Sequence, residues 1–556
     1  MEYTGAQILI ESLITHGAEV IFGYPGGAVL DIYDALYAAR DRLTHITASH
    51  EQGAVHAADG YARSTGKTGI VLATSGPGAT NLVTGLAAAY YDSVPLVAIT
   101  GNVTNDLLGR DSFQEIDIIS ITNPIVKHNY FVQDVNGLQR IVREAFEIAH
   151  SGRKGPVLID IPKDVATAKA AYTPTERFTP RPMPEPDAEG LGQALRLLAD
   201  CQRPLIYCGG GVVFSDSAGA LAAFAEKLDA PVCVSMMGLT ALPSRSERCL
   251  GLVGMHGTAY ANMAVGECDL LIAVGARFSD RAAGYRKGFA GGARVIHIDI
   301  DRTEISKNVQ VDFSLVGDAG VCLRRLTAQM TPQNHVGWMR KLSRAKTRRM
   351  PPAAASGSRA DPRTVIDTLG RLLPPDALVV TDVGQHQMLV AQHFPFTRPR
   401  SFLSSCGLGA MGYGMGAANG AAIGNPGQPV ALVTGDGSFH MNTAELAVAV
   451  SHDLPILALV MNNGALGMVR QWQKLFYGGR YSCTEIARKT DFKALGVAFG
   501  AKGFRIGTRE EIGPVLREAL SVKGPCVIDC LIDPEDCVFP IIPPGGKQED
   551  MICEMR

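Results

Sequence analysis

The stretches PVALVTGDGSFHMN (429–442) and ILALVMNN (456–463) decide the fold of this 556-residue chain. The runs VALVT and ILALVM are short and apolar, which is typical of buried strands in a parallel sheet. The segment TAELAVAVSHDLP between them has room for one helix. Strand, glycine turn, helix and strand in this order indicate one right-handed βαβ crossover.

Two polar residues follow these strands. Asp436 lies in the turn GDG after the first strand, and Asn463 closes the second strand 27 residues later. Both are expected at the carboxyl edge of the sheet, where open α/β sheets bind ligands. The flanking glycines, and a helix expected to begin near Asn442 and Thr443, offer backbone N–H groups to an anion.

The charge of Asp436 predicts a metal ion. A carboxylate would repel a bound phosphate, so we expect a divalent cation between them. Oxygen ligands in near-octahedral geometry favour Mg²⁺, with the backbone carbonyl of Ala465 as a further ligand. A lone GDG is a common strand-end turn, but GDG followed by NN after one crossover predicts a diphosphate held through Mg²⁺ by Asp436, Asn463 and Ala465.

A similar unit begins at residue 69, where GIVLAT, SGPGATN, LVTGLAAAYY, DSVP and LVAIT repeat the same order of elements. This repeat indicates two related α/β domains on either side of a different one. The repeat by itself does not exclude the chance likeness of any two βαβ units.

Two stretches divide the chain. PTERFTPRPMPEP (174–186) has five prolines, which favours an extended linker. Residues 340–349 include six basic and no acidic residues, typical of a solvated helix end before a loop. We therefore expect domains at 1–170, 190–335 and 363–556, with linkers at 171–189 and 336–362. All three domains alternate strand and helix patterns, which predicts doubly wound parallel α/β sheets.

Composition excludes several classes of protein. Lys and Arg number 52, Asp and Glu 54, and only 19% of residues are charged, so no nucleic-acid partner is expected. Twelve cysteines without a CxxC pair, and no secretory signal, fit a cytoplasmic protein. The uncharged segment 401–435 is long enough for a membrane span, but its many glycines indicate a buried small-residue helix followed by a strand.

These motifs resemble one known family. GDGSF followed by NN is similar to the fingerprint of thiamine diphosphate enzymes. FGYPGGA (22–28), SHEQGA (49–54), TSGPGATN (74–81) and FQEID (113–117) resemble the catalytic subunit of acetohydroxyacid (acetolactate) synthases. The resemblance covers nearly the whole chain. It implies a first domain for the pyrimidine ring, a third for the diphosphate and a central FAD-binding domain in which the flavin is structural.

In this family a glutamate hydrogen-bonds the pyrimidine ring and activates the coenzyme's own amino group as a base. The matching residue is Glu51. Taken alone, SHEQ (49–52) also fits a helix capping box. The resemblance further implies Gly27, Gln114 and Lys163 as catalytic residues of the first domain.

Met411 matches the apolar wedge that bends the thiamine cofactor, although a plain core methionine fits it too. Further positions implied for that cofactor are Gln385, His386, Gly409, Gly435, Asp436, Gly437, Ser438, Asn463 and Met468. Those implied for FAD are Arg153, Gly209, Gly210, Gly211, Met255, His256, Gly257 and Asp299.

Three departures from the family pattern bear on these cofactors. Ser279 replaces an aspartate, and MMGLTALP (236–243) replaces TLLGLGAFP; both concern the flavin. GMGAANGAA (414–422) replaces GLPAA, and we expect it at a buried helix start beside the cofactor.

The implied reaction is decarboxylation of pyruvate and transfer of the hydroxyethyl group to a second pyruvate or to 2-oxobutanoate. This is the first common step of branched-chain amino acid biosynthesis. Arg281 is implied to clamp the acceptor carboxylate, and Trp472 and Phe113 to line its pocket. The extra methyl group of 2-oxobutanoate should add about 1 to 3 kcal/mol of preference.

Other functions remain open at this point. They are a pyruvate-oxidase-like flavin oxidoreductase, a catabolic flavin-free acetolactate synthase, and a regulatory paralogue without turnover. The resemblance also implies a homodimer or tetramer with the cofactor at the subunit interface, and it allows a separate regulatory small subunit.

Overall fold

The computed structural model describes residues 2–183, 185–285, 288–347, 359–486 and 488–554. It contains three six-stranded sheets, one after another along the chain, and every strand pair within them is parallel. The prediction of three doubly wound α/β units is confirmed.

The first sheet has the strand order β3-β2-β4-β5-β7-β6, and a short antiparallel pair, β1 and β8, lies beside it. Its elements are β1 (Glu2–Thr4), α1 (Gly5–Thr15), β2 (Val20–Tyr24), α2 (Leu30–Ala38), β3 (Thr44–Thr47), α3 (Glu51–Thr65), β4 (Gly69–Ala73), α4 (Pro77–Asn81), α5 (Val83–Asp92), β5 (Leu96–Asn102), α6 (Ile118–Thr122), β6 (His128–Phe131), α7 (Leu138–His150), β7 (Val157–Pro162), α8 (Lys163–Thr167) and β8 (Lys169–Ala171).

The central sheet has the order β11-β10-β9-β12-β13-β14. Its elements are α9 (Ala188–Asp200), β9 (Pro204–Cys208), α10 (Gly210–Phe214), α11 (Ala218–Leu228), β10 (Val232–Val234), β11 (Cys249–Leu252), α12 (Ala259–Glu267), β12 (Leu270–Val274), α13 (Asp280–Ala283), β13 (Arg294–Asp299), β14 (Phe313–Val316), α14 (Ala319–Gln329) and α15 (Val336–Thr347).

The third sheet has the order β16-β15-β17-β18-β20-β19. Its elements are α16 (Pro362–Leu372), β15 (Leu378–Thr381), α17 (Gln385–His393), β16 (Phe402–Ser404), α18 (Gly414–Gly424), β17 (Val430–Gly435), α19 (Asp436–Met441), α20 (Leu446–Ser451), β18 (Ile456–Asn462), α21 (Gly467–Phe476), α22 (Phe492–Phe499), β19 (Lys502–Ile506), α23 (Ile512–Leu520) and β20 (Cys526–Leu531).

The first and third sheets share one topology. Numbered within each sheet, both have the strand order 2-1-3-4-6-5, whereas the central sheet has the order 3-2-1-4-5-6. Two units with the same six-strand winding are more than a chance likeness of single crossovers. The predicted pair of related domains around a different one is therefore confirmed.

Alternating side chains of each buried strand enter two separate cores. In β4, Ile70 and Leu72 belong to the core on one face of the sheet, and Val71 and Ala73 to the core on the other. All four are completely buried. A strand buried on both faces must be apolar throughout, which explains the uninterrupted apolar runs in the sequence.

The first and third units are joined by packing of α3 against α18. The Tyr413 hydroxyl donates to Asp59 at 2.6 Å, and the Arg63 guanidinium contacts both Asp59 and Asp92, at 2.5 and 2.8 Å. The buried helix expected within 401–435 is thus α18, followed by β17. Among the described residues, every helix is too short or too polar to span a bilayer.

The two predicted linkers differ in structure. In the first, the ring of Phe178 packs against Phe146 and His150, with centroids 5.3 Å apart in both cases. The second begins with α15, in which Trp338 is buried in the central core and donates to the Pro204 carbonyl at 3.0 Å. Residues 348–358 lie outside the described residues, and the domain boundaries stay predictions.

Candidate active site

The proposed metal ligands lie at the carboxyl edge of the third sheet. β17 and β18 are parallel neighbours, with Gly435 opposite Met461, so Asp436 and Asn463 follow adjacent strand ends. Burial raises the pKa of Asp436 to about 6, although nearby backbone N–H groups, including those of Asn463 and Gly464, lower it. A cation at this position would stabilise the ionised form.

The helix expected to begin near Asn442 and Thr443 is present, as a 3₁₀ turn at Thr443–Glu445 that leads directly into α20. A further helix precedes it, since Gly435 has an extended backbone, with φ −101° and ψ 159°, and the chain enters α19 directly at Asp436. This earlier helix was not predicted, because the GDG turn itself forms its start. Asp436 therefore follows the last residue of β17 directly and is the first residue of α19.

The donor set at this edge fits Mg²⁺. A cavity of about 100 Å³ is lined by Asp436, Asn463 and Ala465. The Asn463 side-chain oxygen accepts a hydrogen bond from the Ala465 amide at 3.0 Å, which folds the loop around it. Within the described ranges no cluster of three or more His, Cys, Asp or Glu could hold a metal. One carboxylate, one amide oxygen and one carbonyl suit a cation that keeps water and phosphate oxygens.

His386 offers a polar atom to the same cavity. Its side chain is buried, and its Nε2 has no hydrogen-bond partner among the described residues. Burial lowers its pKa to about 4, so the ring is neutral near pH 7. The neighbouring Gln385 donates to the Gln471 side chain and the Asp536 carbonyl, at 3.0 and 2.9 Å. The other implied cofactor residues in this lining are Met411, Gly435, Gly437, Ser438 and Met468.

A second cavity, of about 900 Å³, adjoins the first. Met411 and Met468 line both, so the methionine expected to be the wedge lies where the two meet. Gly409 lines the large cavity. Its walls also include residues of the central unit and, from the first unit, Ser93 and Arg153, so all three units meet at this cavity.

The central sheet has the strand order of dinucleotide-binding folds, with the order reversing between β9 and β12. Gly209 follows β9 at this point, and a Cβ there would overlap the Gly275 carbonyl after β12. The bare backbone thus lets the two strand ends approach. Residues implied for FAD that line the large cavity are Arg153, Gly210, Gly211, Met255, His256 and Asp299. Gly257 lies in the adjoining turn, where its amide donates to the Gly254 carbonyl at 2.9 Å.

Polar groups in this cavity remain available to a ligand. His256 Nδ1 is buried without a partner among the described residues, and burial lowers its pKa to about 4. Arg153 is held by the buried Glu304 at 3.0 Å and by the Ser93 hydroxyl at 2.9 Å. An apolar cavity of this size with a few fixed polar groups fits a cofactor.

The departures from the family pattern fall in two places. Ser279, Met236 and Met237 line the large cavity, so these changes lie in the wall of the cavity that contains most of the residues implied for FAD. The segment 414–422 lies within α18, packed on α3, and none of its residues appears in the described lining of either cavity. The expected buried helix start is present, since α18 begins at the buried Gly414, and its place beside the cofactor stays a prediction.

Arg281 and Trp472 come together at the large cavity. Arg281 belongs to α13 and Trp472 to α21, and the guanidinium lies over the indole ring. The Arg281 carbonyl accepts a hydrogen bond from the Met255 amide at 2.8 Å, which links this pair to a residue implied for FAD. The sequence reasoning missed Arg277, which lines the same cavity and lies four residues before Arg281 in GARFSDR (275–281).

The catalytic residues implied for the first domain follow the carboxyl ends of its strands. Gly27 comes after β2, Glu51 after β3 and Lys163 after β7, whereas Phe113 and Gln114 lie in the loop after β5. Phe113 is 88% exposed, and Gly27 and Lys163 are also exposed. Phe113 thus presents a large apolar surface to solvent in the isolated chain.

Glu51 begins α3 and accepts a hydrogen bond from the Asn81 side chain at 2.9 Å. Asn81 was not singled out from the sequence, although it closes the quoted motif TSGPGATN. The alternative reading of SHEQ, a capping box, is not observed in α3, since the N-cap is His50 and the Ser49 hydroxyl donates to the Ala444 carbonyl at 2.8 Å. Glu51 is not part of the described lining of either cavity.

Comparison with known proteins identifies the family. Three models of thiamine pyrophosphate (thiamine diphosphate) enzymes match: the N-terminal TPP binding domain at residues 3–121, the central domain at 191–326 and the C-terminal TPP binding domain at 382–530. These matches follow the three sheets.

Relatives over almost the full length are more specific. The chain is 46% identical to an acetolactate synthase of Arthrospira platensis, covering 99% of this chain and 97% of the relative. It is 43% identical to the acetolactate synthase isozyme 2 large subunit of Escherichia coli (strain K12), with 99% of both chains covered. It is 42% identical to a probable acetolactate synthase large subunit of Methanocaldococcus jannaschii, covering 99% and 95%. The chain therefore belongs, among the thiamine pyrophosphate enzymes, to the family of acetolactate synthase large subunits.

Proposed function

We propose that this chain decarboxylates pyruvate with thiamine diphosphate and joins the hydroxyethyl group to a second pyruvate, giving 2-acetolactate. With 2-oxobutanoate as the acceptor the product is 2-aceto-2-hydroxybutanoate. One observation supports the proposal. Met411 and Met468 line both the small cavity at Asp436 and the large cavity at which Arg281 and Trp472 lie in contact. A coenzyme anchored at Asp436 thus has an acceptor site within reach.

The coenzyme supplies a carbon nucleophile and an electron sink for decarboxylation. The protein's task is to favour the active tautomer of the pyrimidine. Glu51 is assigned this role, and its carboxylate at the first turn of α3 accepts a hydrogen bond from Asn81 at 2.9 Å. Met411 and Met468, which line both cavities, would exclude water from the bound ring.

Magnesium is expected to bridge the coenzyme and the chain through Asp436, Asn463 and the Ala465 carbonyl. Its charge offsets the diphosphate, and the unpartnered Nε2 of His386 provides one more contact for a phosphate oxygen. Because Asp436 and Asn463 are held on adjacent parallel strands, little rearrangement is needed for binding.

Acceptor choice is assigned to Arg281 and Trp472. The guanidinium can hold the acceptor carboxylate in a bidentate contact. Stacking on Trp472 restricts its orientation, and the indole face packs against the extra methyl group of 2-oxobutanoate. Together they explain how one site accepts two related 2-keto acids.

FAD is expected as a structural group in the large cavity. The 3-2-1-4-5-6 strand order, the Gly209 turn and the free Nδ1 of His256 support this. Met236, Met237 and Ser279, which depart from the family pattern, line the same cavity.

A second copy of the chain is needed to complete the site. Glu51 and Asp436 have separate surroundings within one chain, and Phe113 is exposed on the Glu51 edge. We therefore propose a homodimer, or a tetramer built from it, in which Glu51 of one copy meets the coenzyme held by the other. The relatives' name "large subunit" supports a separate regulatory small subunit. The twelve free thiols support a reducing, cytoplasmic location.

The reaction is tested by incubating the protein with pyruvate, thiamine diphosphate and Mg²⁺, with and without FAD, and identifying the product. We expect 2-acetolactate in both the presence and absence of oxygen. Acetate as the main product, with bleaching of bound flavin in stoichiometric step with pyruvate under anaerobic conditions, would instead show an oxidoreductase. Absence of CO₂ release would show a paralogue without turnover.

A further inference from the structure

A carboxylate of the third domain holds the start of the helix that carries Glu51. Glu445 follows α19 in the third domain, and its side chain is 1% exposed. One oxygen, Oε1, accepts hydrogen bonds from the backbone amides of Ser49 and His50, both at 3.0 Å. His50 is the N-cap of α3, and Glu51 is the first helical residue.

Three further contacts fix this arrangement. The Ser49 hydroxyl donates to the Ala444 carbonyl at 2.8 Å, and the Asn419 side chain donates to the Glu445 carbonyl at 2.9 Å. Gly53 faces the same carboxyl group, and a Cβ there would overlap it. The glycine is required for Glu445 to reach the two amides.

We propose that Glu445 is a positioning residue for Glu51, holding the first turn of α3 at the orientation in which Glu51 reaches the pyrimidine ring. This inference rests on the proposed role of Glu51. It also gives the third domain two tasks: Asp436 anchors the coenzyme tail that this chain holds, and Glu445 aims the acid that this chain offers to its partner copy.

Glu445 acts as a hydrogen-bond acceptor rather than as a charge. Burial raises its pKa to about 7, although the His50 and Ser49 amides lower it, so the protein disfavours the charged form of this carboxyl group. An amide oxygen can accept the same two hydrogen bonds. Glutamine should therefore replace glutamate here, whereas an apolar side chain of similar length should not.

The test compares Glu445→Met with Glu445→Gln in the full chain. Each variant is measured for kcat with pyruvate, for thiamine diphosphate affinity at saturating Mg²⁺, and for amide hydrogen exchange in the first turn of α3 without coenzyme. We expect Glu445→Met to lower kcat by about 10- to 100-fold, to speed exchange in that turn, and to leave coenzyme affinity within about threefold. Glu445→Gln should restore both kcat and protection.

Two controls separate this role from general loss of stability. Asp187→Ala removes a carboxylate that accepts from the Gly190 amide at 2.6 Å at the start of α9, away from both cavities, and should leave kcat unchanged. Gly53→Ala should reproduce the effect of Glu445→Met, because the added methyl group displaces the carboxyl group. If Glu445→Met does not fold, Gly53→Ala decides the question.

The inference is overturned if folded Glu445→Met, or folded Gly53→Ala, turns over pyruvate at the wild-type rate. It is also overturned if kcat falls while hydrogen exchange of the first α3 turn stays unchanged, or if glutamine fails to rescue. Glu51→Gln is run in parallel. Full turnover by that variant would overturn the proposed role of Glu51 itself, whereas its inactivity beside an active Glu445→Met would refute only the positioning role.

Discussion

The guanidinium carbon of Arg281 lies 5.3 Å from the centre of the Trp472 indole ring. The two residues come from the central and third domains, so the contact depends on how these domains pack. A cation over an indole face is favourable by about 0.5 to 2 kcal/mol. The proposed acceptor pocket would therefore be assembled across a domain boundary, with the Arg281 charge next to the apolar face of Trp472.

Replacing Trp472 should change acceptor preference. Trp472→Leu removes the face that packs against the extra methyl group of 2-oxobutanoate, and we expect that preference to fall by about 10-fold. The ratio of the two products, measured with both acceptors present, tests this. Tyr477→Leu, at an exposed aromatic residue directly after α21, is the matched control. An unchanged product ratio in Trp472→Leu would remove the indole from the acceptor site.

Replacing Glu51 should abolish most catalysis without unfolding the chain. Glu51→Gln keeps an acceptor for Asn81 but loses the acid that activates the pyrimidine, so kcat should fall by about 10² to 10⁴. Initial rates and calorimetric titration with thiamine diphosphate measure the two effects. Glu19→Gln, which changes an exposed acid paired with Lys67, should behave like the wild type. Wild-type kcat in Glu51→Gln would refute the assignment.

Replacing Asp436 should weaken metal binding. Asp436→Asn removes the only carboxylate assigned to Mg²⁺, and we expect the half-saturating Mg²⁺ concentration to rise by about 10-fold or more, with partial recovery of rate at high Mg²⁺. Asp376→Asn alters an exposed acid of the same domain and serves as the control. If Mg²⁺ dependence is the same in both variants, the metal lies elsewhere.

Asp160 should make the stability of the chain depend on pH. Burial raises its pKa to about 7, although hydrogen bonds from Thr100 and Asn102 lower it. Because the pKa of Asp160 is raised in the folded chain, its contribution to the free energy of unfolding is fully present below about pH 4. That contribution is lost as the pH rises through about 7. Asp160→Asn removes this loss.

The measurement is urea unfolding of both proteins between pH 5 and 8. Relative to the wild type, Asp160→Asn should gain stability with rising pH, on the order of 2 kcal/mol across this range. Asparagine can still accept from Asn102 and donate to Thr100, so the pocket stays satisfied. Parallel pH profiles for the two proteins would contradict the assignment to Asp160.

Elements could be predicted from the sequence where the local residue pattern matches the burial of the element in the folded chain. β17 and β18 could be identified from their apolar runs alone, because strands buried in a parallel sheet are apolar throughout. The polar turn that ends each run identified Asp436 and Asn463 without knowledge of the other domains. The repeat beginning at residues 69 and 429 extends to identical strand orders because the same crossover winds both sheets.

Long-range contacts were not accessible in the same way. The helix α19 was not predicted, because glycine next to aspartate signals a turn, although here it also begins a helix. A capping box does not form at Ser49, because Glu445, distant in sequence, accepts hydrogen bonds from the Ser49 and His50 amides. In a capping box a nearby side chain would accept the bond from the Ser49 amide. Likewise the basic segment after residue 336 begins as a helix whose Trp338 fills the central core.

The central claim is that Glu51 of one copy and Asp436 of another build each site, and mixing two inactive variants tests it most directly. Glu51→Gln and Asp436→Ala chains are unfolded, mixed in equal amounts and refolded, and acetolactate formation is measured against each variant refolded alone. In mixed dimers one site regains both intact residues, so we expect about a quarter of wild-type activity from random pairing. Activity no higher than that of the separate variants, with mixed dimers present, would contradict a site shared between copies.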